Sequence, residues 1–170
     1  MARAPLATAT IIICSALAMT TPVHAQTPDI SKYAKAVDEA STTLEQALST
    51  SATNGTPISA QYMLKDEKLQ IMVFTKAANG FMEVVIAPAT GSIVSAQQVT
   101  DADDLEEAEK QELAMEKGST SLLSAVKEAD KQNPGARAVR VVPSIRGGQP
   151  MATVFLLKGM QATVSSQKLN

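Results

Sequence analysis

The stretch ARAVRVVPSIRGGQPMATVFLLKGMQATVSSQKL, residues 136–169, decides the fold. It divides into three short strands joined by two tight turns. The turns are Arg146-Gly147-Gly148-Gln149 and Leu157-Lys158-Gly159-Met160, each with glycine where a primed hairpin turn needs positive φ. A helical segment precedes this meander, and a fainter copy of the same order lies about eighty residues upstream.

The upstream copy opens on Thr27-Pro28-Asp29, a hydroxyl cap, a first-turn proline and an acid at the positive end of the dipole. Ile30, Tyr33, Val37, Ala40, Leu44, Ala47 and Leu48 then recur at helical spacing, which predicts one amphipathic helix ending near Ser51. Asn54-Gly55-Thr56-Pro57 stops it. From there the period is two. Ile58, Ala60, Tyr62 and Leu64 alternate with Ser59, Gln61, Met63 and Lys65. A two-residue turn at Asp66-Glu67 sets Leu64 against Leu69, Tyr62 against Ile71 and Ala60 against Val73. Asn79-Gly80 as the next turn pairs Lys76 with Glu83 and Val73 with Ile86. The reverse face carries Met63, Met72, Phe74, Phe81 and Val85, too apolar to be left wholly in water.

Beyond the turn Ala89-Thr90-Gly91, residues 92–99 form a short strand or extended arm. Thr100 with Asp103 predicts a capped acidic helix over 101–117. Its few apolar residues (Leu105, Ala108, Leu113, Met115) suggest a solvated connector. Gly118 ends it, Ser119 caps a further helix that buries Leu122, Leu123, Val126 and Ala129, and Asn133-Pro134-Gly135 leads into the opening meander. In that meander Val139, Val141, Ala152, Val154 and Leu156 share one face. Met151, Phe155, Leu157, Met160 and Val164 share the other, and Pro143 predicts an edge or a bulge for its strand.

The expectation is an α+β chain of two αβββ units, each a helix on a three-stranded antiparallel meander, joined by the acidic helix. The segments are 1–25, 26–99, 100–118 and 119–170. The two units could join edge to edge or pack face to face.

Composition narrows the function. The chain of 170 residues has a net charge of −2 and no concentrated basic patch, which argues against nucleic acid. Arg3, the apolar run from Ala9 to Met19 and Val23-His24-Ala25 predict a signal peptide cleaved after Ala25 and a periplasmic or secreted product without a stable membrane anchor. Cys14 and His24, the single cysteine and single histidine, fall inside that segment, so thiol chemistry, His-based triads and the usual zinc sites are not expected. Ser124-Ala125-Val126-Lys127 matches a Ser-x-x-Lys acyl-enzyme motif without its companion motifs. The acids Asp101, Asp103, Asp104, Glu106, Glu107 and Glu109 have Glu106 where a calcium loop needs glycine. Met63 and Met72 share a face and offer thioethers to Cu(I), the basis of an alternative reading as a copper or small-ligand carrier.

A family likeness follows from the turns. The helix followed by Gly147-Gly148-Gln149-Pro150 and Thr153-Val154-Phe155-Leu156 resembles the PepSY domain, in which a helix precedes a three-stranded meander and a Gly-x-Pro turn opens the second strand. Val85-Ile86-Ala87-Pro88-Ala89-Thr90-Gly91-Ser92-Ile93-Val94 resembles that family's closing strand and Thr-Gly turn, with Pro88 a departure. The second unit lacks a Thr-Gly turn. The resemblance covers roughly 40–98 and 119–168. It implies a non-catalytic module without cofactor or metal that binds an envelope protein such as a peptidase, and that modulates or inhibits it. Phe74, Phe81, Met63, Met72, Val85 and Pro143 are the candidate contact residues.

Overall fold

The computed structural model describes residues 30–170, so the expected signal peptide and the Thr27-Pro28-Asp29 helix start lie outside the described residues. Two short helices, α1 (Ile30–Glu39) and α2 (Leu44–Ser51), lead into strands β1 (Thr56–Lys65), β2 (Lys68–Ala77), β3 (Gly80–Ile86) and β4 (Ile93–Gln98). Helices α3 (Ala102–Lys117) and α4 (Leu122–Gln132) follow, then β5 (Arg137–Arg146), β6 (Gln149–Lys158) and β7 (Gln161–Lys168). The seven strands form one antiparallel sheet in the order β4-β3-β2-β1-β5-β6-β7. The architecture is therefore α+β, with one continuous seven-stranded sheet, β4 included, in place of two αβββ units; of the two arrangements left open, the strands join edge to edge. No helix among the described residues is long and apolar enough to cross a membrane.

The turns explain most of the register. Asp66 and Glu67 take φ of 50° and 60°, a primed turn without glycine, and the pairs Leu64–Leu69, Tyr62–Ile71 and Ala60–Val73 fall as the alternation requires. Gly147 and Gly148 do the same between β5 and β6. The β2–β3 turn differs. Asn79 keeps a negative φ, so Asn79-Gly80 is not a primed loop. Ala77 pairs with Gly80, which moves Lys76 opposite Phe81 and Val73 opposite Val84. The β6–β7 turn also lies one residue further on, with Lys158 paired to Gln161 and Gly159 at φ 58°.

The main core lies on the face covered by α1, α2 and α4, where Val37, Leu48, Val126, Ile71, Val84 and Val154 are fully buried or nearly so. The single long helix predicted over 30–51 is broken. Thr43 and Gln46 form a reciprocal capping box that starts α2 afresh, with Gln46 N donating to Thr43 Oγ1 at 3.2 Å and Thr43 N to Gln46 Oε1 at 2.8 Å. At the break, Thr42 N donates to Pro88 O at 2.9 Å, tying it to the β3–β4 turn.

The opposite face is covered by α3, which is not the solvated connector its composition suggests. Ala108, Gln111 and Ala114 are buried, and a second core joins Ala108 to Ile58, Phe81 and Val99. A bulge between Pro57 and Ser59 puts Ile58 in this core, away from Ala60 and Tyr62, with which strict alternation grouped it. The caps also shift. Asp101, not Thr100, accepts from Asp103 N and Asp104 N, and Ser121, not Ser119, caps α4. The chain then returns over its own end. Leu169 is fully buried, and its carbonyl accepts from Ser119 N and Thr120 N. A Cβ at Gly118 would lie 2.6 Å from that carbonyl oxygen and 2.7 Å from Leu169 Cβ. Gly118→Ala is expected to lower unfolding free energy by about 2 kcal/mol, read in a urea melt, because backbone has to move to admit the methyl group.

The sheet is thinnest at its centre. β1 and β5 share only the pairs Ala60–Val141 and Gln61–Arg140. Pro143 is thus on an interior strand and not at an edge, but the β1 ladder has already ended at Val141 when the proline is reached. Spacing about this seam is regular. Thr56 and Arg137, Lys68 and Gln149, and Gly80 and Gln161 begin their strands 81 residues apart. The bulge after Pro57 recurs after Ala138 at the same interval, and the paired Ala60 and Val141 are themselves so related.

Near the seam, Arg137 joins the two halves of the chain. Its Nη1 donates to Val37 O at 2.9 Å and Ala40 O at 2.8 Å. Its Nη2 donates to Thr42 O at 2.6 Å and to the Tyr62 hydroxyl at 2.9 Å. That hydroxyl in turn donates to Thr42 O, and the Tyr33 hydroxyl donates to Tyr62 O at 3.2 Å. Burial first, then the neighbouring Tyr62, pushes the Tyr33 phenol up to about 12, while Arg140 opposes the rise. Burial also raises Tyr62, against Arg137. Both folded-state values lie above the ordinary 10.0, so the neutral phenols stabilise the fold fully below pH 10. That contribution is lost as pH rises from 10 to about 12. Urea melts across that range are expected to fall less steeply for Tyr33→Phe than for the parent.

Candidate functional site: a cleft between α3 and the central seam

Helix α3 is anchored along part of its length, and the anchoring leaves a cleft. Lys76 reaches Glu112 at 2.8 Å and stands 4.5 Å from the centroid of the Phe81 ring, which lies in the second core. Small side chains at 108 and 114 bring the helix close to the sheet. Towards the helix N-terminus the gap widens to a cleft of about 190 Å³. Its sheet wall is Ser59, Gln61, Met72 and Phe74 from β1 and β2, with Arg140 and Val142 from β5. Its helix wall is Asp104, Glu107 and Gln111. A second groove of about 340 Å³ shares Glu107 and Val142 with the first. It places Lys110 and Leu113 of α3 by Pro143, Ser144 and Ile145.

The cleft sits over the β1–β5 seam. Gln61 and Arg140 face each other there as a ladder pair. Arg140 is exposed, and its guanidinium stands 5.6 Å from the Phe155 ring centroid. Gln111 is only 6% exposed. Its Nε2 donates to Glu107 Oε1 at 3.0 Å, and its Oε1 has no hydrogen-bond partner. A buried amide oxygen without a donor is costly to keep. Gln111→Leu is therefore expected to raise unfolding free energy by roughly 1 kcal/mol in the ligand-free protein, measured by urea denaturation.

Met63, Met72, Phe74, Phe81 and Val85 share a face, as the alternation implied, but not a common exposure, whereas Pro143 pairs with Ala152 of the main core. Met72 and Phe74 line the cleft, and Pro143 lines the second groove. Phe81 and Val85 are buried, at 5% and 8% exposure, and Phe81 serves to seat α3. Met63 stands opposite Gln70 and Met72 opposite Gln61, so the two thioethers are diagonal neighbours on adjacent strands. The alternation and motifs did not mark Gln61, Gln111 or Arg140 as site residues, and Asp104 and Glu107 entered only among the acids weighed for calcium. The available signal was Arg140, a charge set between the apolar Val139 and Val141.

Other chemistry suggested by the sequence is put to structural use. Ser124 lies in the first turn of α4, where its N–H donates to the Ser121 hydroxyl at 3.2 Å. In the acidic helix Asp101 caps the N-terminus, and Glu106 pairs with Lys110 at 2.7 Å. Among the described residues, no group of three or more His, Cys, Asp or Glu side chains is placed to hold a metal ion.

No family model, no curated protein and no solved structure matches the chain.

Proposed function

We propose that this chain is an exported, non-catalytic binding module, and that the cleft under α3 is where it holds its ligand or a segment of its partner. The single observation that carries the reading is the stranded amide oxygen of Gln111 in the wall of a cleft whose lining includes Gln61, Met72, Phe74, Asp104, Glu107 and Arg140. A side chain kept buried and unsatisfied at a loss of stability fits a role in recognition better than a role in packing.

The module is built by duplication of a PepSY-like unit of a helix and three strands. The 81-residue spacing of strands, turns and bulges supports this, as does the meeting of Ala60 with Val141, each the counterpart of the other. On this reading α3 and β4 belong to neither core repeat, and α3 converts the junction of the two copies into a site. The partner is an envelope protein, a peptidase being the class the PepSY resemblance suggests. Affinity capture from the native envelope extract tests it. A recurrent protein held by the parent and lost with Arg140→Glu supports the reading, and capture unaffected by that change contradicts it. The diagonal thioethers Met63 and Met72 support a second reading as a copper carrier. Stoichiometric copper in the purified protein, removed by Met72→Leu, would favour that reading instead.

A further inference from the structure

We infer that the cleft under α3 takes a small zwitterion: an ammonium and a carboxylate separated by a short apolar body, the chemistry of a free apolar amino acid. The inference rests on the cleft being the binding place. Its size sets the first limit. At about 190 Å³ it holds on the order of six waters at ~30 Å³ each, too little for a nucleotide or a drug-sized cofactor.

Charge sets the second limit. The helix wall presents the carboxylates of Asp104 and Glu107, and neither takes part in an ion pair among the described residues. Among the described residues the only cation lining the cleft is Arg140 on the sheet wall, and a guanidinium suits a carboxylate in a two-pronged contact. Opposite charges on opposite walls match a ligand that carries one of each. A phosphate would meet two carboxylates beside its single guanidinium.

Hydrogen bonding sets the third limit. Gln111 Oε1 is shut away from water and has no donor, and Nε2 is held by Glu107. A donor that reaches this oxygen by a small shift of the side chain satisfies it while Nε2 keeps its bond to Glu107. An ammonium there satisfies both Gln111 and Glu107. Between the charged ends, Met72, Phe74, Ala108 and Val142 offer apolar surface to an aliphatic body.

The test is a titration of the isotopically labelled chain with L-leucine, its N-acetyl and C-amide forms, and the larger L-leucyl-L-leucine, followed by amide chemical shifts. The expected result is saturable shifts at Gln61, Phe74, Gln111 and Arg140 with L-leucine, and at least tenfold weaker binding of the dipeptide. Either cap is expected to weaken binding at least tenfold. Arg140→Gln should do so for the zwitterion while leaving the C-amide form unchanged, and Glu107→Gln should weaken the amino end alone. Both are conservative changes at the surface of the cleft, and an unaltered melting temperature confirms folding. Equal binding of capped and free forms at these residues overturns the zwitterion and leaves the cleft as the binding place. No shift in the cleft with L-leucine overturns the inference. If a captured envelope protein then shifts the same amides, the proposed function survives that failure.

Discussion

Arg137→Ala is expected to lower the unfolding free energy by about 3 kcal/mol, and the melting temperature by roughly 10 °C. One guanidinium satisfies the carbonyls of Val37 in the last turn of α1 and of Ala40 and Thr42 in the break before α2, together with the Tyr62 hydroxyl. Alanine leaves those acceptors partly buried with fewer donors, and it removes the side-chain tie from β5 to α1 and the break before α2. Hydrogen bonds to a charged donor contribute roughly 1.5–3 kcal/mol each, so even incomplete rescue by water leaves a substantial loss. Arg137→Lys should recover little, because an ammonium lacks the planar fork that reaches two sets of acceptors at once. A loss below about 1 kcal/mol would mean that the guanidinium is dispensable where the seam opens.

Phe81→Ala is expected to cost about 3–4 kcal/mol, with an effect concentrated on one face of the sheet. Phe81 is 5% exposed in a small core with Ile58, Val99 and Ala108, and its ring also receives Lys76, which holds Glu112 of α3. Removing the ring takes away the seat of α3, while the larger core under α1, α2 and α4 keeps its residues. Hydrogen exchange should show faster exchange in α3 and little change in α4. Uniform loss of protection would show that the two faces unfold as one.

The sequence and the fold agree where local chemistry decides and part where packing does. Alternation and the Asp66-Glu67 turn were enough to place Tyr62 against Ile71, because a one-residue slip would have turned every apolar side chain to the wrong face. The Thr43–Gln46 capping box was equally local, but a continuous apolar stripe from Ile30 to Leu48 masked it. Ile58 could not be placed by alternation. Its side is set by a bulge beside Pro57 and by a core that exists only once α3 has docked. The docking of α3 was hidden for a related reason. Its buried positions are Ala108, Gln111 and Ala114, which favour close approach but make no apolar stripe. The cleft then depends on residues from β1, β2, β5 and α3, and its key side chain, Gln111, has no distinguishing neighbours in sequence.

One measurement bears most directly on the cleft as the binding place: amide chemical shifts of the labelled chain as native envelope extract is added. The account predicts changes clustered at Gln61, Met72, Phe74, Gln111 and Arg140, abolished by Arg140→Glu. Changes confined to the edge strands β4 and β7, or to α1, with the cleft residues unmoved, would contradict it.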